Sequence, residues 1–154
     1  MKSLRLLPVA FFVVLGFMIS CNNSNDKPEV QSTEVEHSHV SSDTLALNNG
    51  DKWKADSATN HNVIKMKMIA ENFSVAPFPS MDEYKMVAAD LQTSIDTMMR
   101  QCSMKGEPHD QLHKWLEPLI KETKELKNAG DTTHARPLFT SINERIHNYK
   151  NYFE

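Results

Sequence analysis

The chain has 154 residues, is 40% hydrophobic and 24% charged, and carries a formal charge of −3 with only four glycines. A mildly acidic chain with no Lys/Arg cluster has no concentrated basic face for phosphates, so nucleic acid is excluded as a partner and anionic lipid headgroups are disfavoured. There is no Gly-rich phosphate loop, no Ser elbow, no His-Glu-x-x-His and no Cys-x-x-Cys-His, so the chain reads as non-enzymatic and without covalent haem.

Lys2 and Arg5 precede an uncharged, apolar stretch from Leu6 to Ile19, the layout of a signal peptide. The stretch is shorter than the roughly 20 residues that cross a bilayer, and it carries Pro8. It ends Met18-Ile19-Ser20-Cys21, which resembles the lipobox of bacterial lipoproteins: an apolar residue three before the cysteine, a small one just before it, then the cysteine itself. The resemblance implies cleavage after residue 20, a palmitate-type lipid on Cys21 and attachment to a membrane of the cell envelope. Asn22, where inner-membrane lipoproteins carry Asp, implies the outer membrane. Losing Lys2 and Arg5 takes the charge from −3 to −5 and leaves 134 of the 154 residues, enough for one domain. From Cys21 to about Thr44 the chain is polar, lacks aromatics and has no sustained period, so it is expected to be a disordered tether. His37 and His39 lie within it, and the entropy of ordering such a strand opposes their use as a primary metal pair.

Residues 45–154 are expected to fold. Leu45-Ala-Leu47 and Asn48-Asn49-Gly50 read as a short extended piece and a turn, and Trp53 opens the domain. A first helix is expected from about Ser57 to Phe73, with Val63, Met66, Ile69, Ala70 and Phe73 on one stripe. Pro77 and Pro79 break it. Ser80 and Glu83 have capping-box spacing, and Tyr84, Val87, Ala88, Leu91, Ile95, Met98 and Cys102 form the apolar row of a second helix. Glu107-Pro108 supplies a cap and a proline at the first position of a third, whose row is Leu112, Leu116, Leu119, Thr123 and Leu126, with Pro118 expected to kink it. Asn128 to Asp131 is a stop followed by a start, and Leu138, Phe139, Ile142, Ile146, Tyr149 and Phe153 mark a fourth. No strand pattern of any length occurs. The expected architecture is an all-α, antiparallel up-down-up-down four-helix bundle, with a three-helix bundle and a loosely docked first helix as the alternative.

With Cys21 lipidated, Cys102 has no intramolecular partner. Met98, Met99, Cys102, Met104, His109 and His113 fall within 16 residues, across the second helix's last turn, the connection and the third helix's first turns. Met98 and Cys102 are four apart, as are His109 and His113, so each pair shares a helix face, and an antiparallel hairpin would bring the faces together. Thiolate, thioether and imidazole suit Cu(I), or Zn(II) if the methionines stand aside. The same residues also read as packing: methionine fills cores, a buried cysteine behaves as a small hydrophobe, and His109 sits on the core stripe. His61, His134 and His147 are dispersed and read as surface residues.

The stretch Ala88 to Ile142, with Lys105-Gly-Glu-Pro-His-Asp-Gln-Leu-His-Lys-Trp115 and Arg136-Pro-Leu-Phe-Thr-Ser-Ile142, resembles a helical domain of unknown function in Bacteroidota envelope proteins, some of them beside heavy-metal efflux components. The resemblance implies a role for His109 and a link to an efflux protein; that family's Cys-Pro-Met segment is absent. The expected function is a lipid-anchored bundle binding or buffering a soft metal, with Cys102, Met98 or Met104, His109 and His113 as candidate ligands. The alternative is a metal-free adaptor that docks another envelope protein.

Overall fold

The structure, a computed structural model, describes residues 44–154. The expected signal peptide, Cys21 and the His37 and His39 pair lie outside the described residues. Within them the chain is all-helical: α1 is Ser57–Ser74, α2 Met81–Gln101, α3 Glu107–Lys127 and α4 Thr132–Tyr152, with no strand. Consecutive helices pack on one another, α4 closes back on α1 and also touches α2, and α1 and α3 do not meet.

Three of the four helices start where a side chain accepts from an otherwise unpaired backbone N–H of the first turn. Asp56 accepts from the Thr59 amide at 2.7 Å, and Asp131 from that of His134 at 2.8 Å. Ser80 and Glu83 form the reciprocal capping box: the Glu83 carboxylate accepts from the Ser80 amide at 2.7 Å, and the Ser80 hydroxyl accepts from the Glu83 amide at 3.3 Å. The third start differs from the sequence expectation. Gly106, not Glu107, occupies the cap, so Glu107 and Pro108 are the first two helical residues. Gly106 has φ 64° and ψ −152°, a region essentially closed to residues with a Cβ, and a cap of that kind brings no side-chain acceptor.

The apolar rows meet in one core. Val63, Met66 and Ala70 of α1 are buried with Val87, Leu91, Ile95 and Met98 of α2, Leu112, Trp115, Leu119 and Leu126 of α3, and Phe139, Ile142, Ile146 and Tyr149 of α4. Because Met66 and Ala70 are sealed, α1 is a full member of the core, and the loosely docked first helix of the alternative reading does not occur. Phe73, Tyr84 and Phe139 stack edge to face near the α1–α2 connection, with centroids of Phe73 and Phe139 4.6 Å apart.

Asn49 and Gly50 both have positive φ, as a tight hairpin turn between Asn48 and Asp51 requires. Trp53 then pairs with the end of α4. Its amide donates to the Tyr152 carbonyl at 2.7 Å, and its carbonyl accepts from the Glu154 amide at 2.9 Å. This pairing joins residues about a hundred apart, and nothing in the local pattern announces it.

Leu91 and Leu116 test the helix registers. Each is buried, so Leu91→Ala or Leu116→Ala should cost roughly 2 to 5 kcal/mol in urea unfolding while the far-UV spectrum stays helical. A neutral result at either position would mean that its helix is rotated from the register described.

Candidate functional site

Cys102 is the cap at the end of α2, and this determines where its sulfur goes. Its amide still donates to the Met98 carbonyl at 2.8 Å, but φ −62° and ψ 124° take the chain out of the helix. The chain stays irregular through Lys105 and turns at Gly106, and His109 follows in the first turn of α3. Across this connection the Cys102 Sγ stands 3.7 Å from His109 Nδ1. On its other side His109 Nε2 stands 3.0 Å from His113 Nε2, one helical turn along, with the two rings nearly perpendicular. Cys102 and His109 are half-buried and His113 is exposed.

The three side chains form a row rather than a ring, because His109 offers a different nitrogen to each neighbour. In keeping with a row, no three His, Cys, Asp or Glu side chains converge as a ready metal cage among the described residues. Met98 is fully buried in the core, Met104 is half-buried against it, and Met99 is exposed. His61 and His134 are exposed, and His147 bonds the Asn143 carbonyl and approaches Glu71.

Several polar residues hold this end of the molecule together. Asp56 is the main one. Its Oδ1 caps α1, while its Oδ2 accepts from the Ser103 amide at 2.6 Å and the Ser103 hydroxyl at 2.8 Å, directly beside Cys102. Buried Asn62 donates to Gln101 Oε1 at 3.0 Å, giving a second tie between α1 and the end of α2. Buried Gln111 accepts from the Ala46 amide at 3.0 Å, and the Trp53 indole donates to the Ala46 carbonyl at 2.6 Å, so the segment before α1 lies on the start of α3.

The core of the bundle also holds an aromatic cluster. Trp115, Tyr149 and Phe153 stack in sequence, with centroids 5.0 and 4.8 Å apart, and the Trp115 indole donates to the Arg145 carbonyl. The Tyr149 hydroxyl donates to Asn60 Oδ1 at 3.2 Å. Burial pushes the Tyr149 phenol above its ordinary range, and negative charge on Asp56, and on Cys102 when its thiol is ionised, pushes it further the same way. Burial would also raise the Asp56 carboxyl, but the hydrogen bonds from Ser103 and Thr59 outweigh it and hold the group down to about 2, against 3.8 ordinarily.

The spacing of His109 and His113 is visible in the sequence. Asp56, Asn62 and Gln111 were not singled out there. Asp56 before Ser57 carries an N-cap signal, but its hold on Ser103 crosses 47 residues, and no local pattern marks that. No family model matches the chain, and no curated protein or solved structure matches it.

Asp56→Ala should lower stability by roughly 1 to 2 kcal/mol at pH 7, the upper part of the range for a lost cap, because the tie to Ser103 goes with it. The carboxyl titrates lower in the folded chain than in the unfolded one. Its contribution is therefore full above about pH 3.8 and is lost as the pH falls toward 2. The gap between wild type and variant in urea unfolding should narrow across that window. A gap that is constant down to pH 2 would show that the carboxylate charge plays no part.

Proposed function

We propose that this chain is a lipid-anchored protein of the cell envelope, attached through Cys21, whose helical bundle binds or buffers a soft metal ion. The bundle is taken to run up-down-up-down with antiparallel neighbours. Short connections and the packing of each helix on the next support that course. Outer-membrane attachment follows from Asn22, and service to an efflux protein is the use that the family resemblance suggests.

One observation carries the metal reading: the 3.7 Å between Cys102 Sγ and His109 Nδ1. An ion bonded to sulfur at about 2.3 Å and to imidazole nitrogen at about 2.0 Å, with a bond angle from tetrahedral to trigonal, needs those atoms about 3.5 to 3.8 Å apart. The donor pair is a soft thiolate and a borderline imidazole, which places Cu(I) ahead of Zn(II). Met98 is sealed in the core, which leaves Met104 as the candidate thioether donor. In a competition against a chromophoric Cu(I) chelator, the full chain in detergent should bind one ion. Cys102→Ser should weaken binding most, His109→Ala next, and His61→Ala not at all. Equal competition by the Cys102 and His109 variants and the wild type would reduce the cluster to packing.

A metal-free adaptor is favoured by a different observation. Val75 and Phe78, 82% and 86% exposed, stand with Pro77 and Pro79 on the α1–α2 connection, an apolar surface that a partner could cover. That reading takes over if copper does not bind. The anchor is tested apart from both. Cys21→Ser should abolish incorporation of labelled palmitate, and label entering that variant would rule out lipidation at Cys21.

A further inference from the structure

His109 faces Cys102 with one ring nitrogen and His113 with the other, at 3.7 and 3.0 Å. A neutral imidazole has one N–H and one lone pair, so it donates to one neighbour and accepts from the other. Two Nε2 atoms at 3.0 Å must share a proton, and the direction of that bond determines what Nδ1 presents to the sulfur. If His113 donates, the His109 proton sits on Nδ1, and an N–H points at a thiol sulfur, which is a weak acceptor. If His109 donates, Nδ1 offers its lone pair to the S–H, and the remaining proton of His113 lies on the Nδ1 of an exposed ring that water can solvate. The second arrangement gives every group a competent partner.

We propose that His113 is not a ligand but the residue that positions His109. It accepts the His109 Nε2–H, which fixes the ring's orientation and leaves the Nδ1 lone pair facing Cys102 Sγ. That is the form of imidazole a metal takes. A ligating histidine characteristically gives its other N–H to an outer partner that sets its tautomer, commonly a carboxylate, a carbonyl or water. Here a second imidazole one turn along α3 fills that place. Ligand and positioning residue lie on one rigid helix, so their spacing holds whether or not an ion is present. The proposal rests on the soft-metal reading for its metal arm alone, because the tautomer of His109 is a property of the metal-free chain.

The test uses the full chain in detergent with ¹⁵N-labelled histidine, as wild type, His113→Gln and His113→Leu. Long-range ¹H–¹⁵N correlation spectra of the metal-free proteins should show His109 as the Nε2–H tautomer in wild type and in His113→Gln, whose amide oxygen can accept the same proton. His113→Leu should give a mixture. Cu(I) affinity should fall about 10- to 100-fold in His113→Leu, the usual cost of losing an outer-shell partner, and return to within about threefold of wild type in His113→Gln. A wild-type Nδ1–H tautomer, or a tautomer unmoved in His113→Leu, would overturn the proposal. So would a His113→Gln variant as weak toward Cu(I) as His113→Leu, because that would make His113 a ligand. A wild type that binds no Cu(I) would end the metal reading, and the tautomer spectra would still decide the role of His113.

Discussion

Asp56 caps α1 with one carboxylate oxygen and holds Ser103 with the other, so the start of one helix and the exit from another share a single anion. The segment after α2 would otherwise be a few residues of irregular chain between two helices, with Cys102 at its start and His109 just beyond it in the first turn of α3. Fixing Ser103 leaves little freedom in where the cysteine can lie. The bonds to the carboxylate are charge-assisted and short, which is why they outweigh the cost of partial burial and hold the group in its ionised form.

Two buried amides extend this hold. Asn62 and Gln111 occupy core positions, where an unpaired polar group would be costly, and each is satisfied by a residue distant in sequence. Their partners, Gln101 and the Ala46 amide, belong to the segments flanking the Cys102 and His109 row. The polar pairs specify which chain segments meet at this end, while apolar burial supplies the drive to collapse. Trp115, Tyr149 and Phe153 pack ring against ring within the core, with Trp53 paired to Phe153 through the backbone.

The parts of the fold legible in the sequence are those that local chemistry decides. Ser80 and Glu83 satisfy each other's amides within one turn, so the start of α2 was readable, as were the break between Asn128 and Asp131 and the apolar rows that became the core. The start of α3 differs by one residue from the sequence expectation, because Pro108 is compatible with either of the first two helical positions and a glycine cap depends on backbone conformation rather than a side-chain signal. The pairing of Trp53 with the end of α4 and the Asp56 tie to Ser103 are non-local, and periodicity carries no information about them. At the site, the turn between His109 and His113 follows from helical spacing alone. The approach of Cys102 to His109 needed the tertiary fold.

Cys102 shared its row with Met98, and a packing role would have placed both alike. They differ. Met98 is sealed inside the bundle, whereas Cys102 is only half-buried and lies at the residue where the backbone leaves the helix. Cys102 packs against the edge of the core, and its sulfur also stands within hydrogen-bonding range of an imidazole that is itself half-buried. His109, for its part, has a partner at each nitrogen, and neither partner is a backbone carbonyl, the ordinary partner of a core-edge histidine. Packing accounts for Met98, whereas at Cys102 the same row ends with a sulfur 3.7 Å from an imidazole nitrogen, a contact that packing alone does not require.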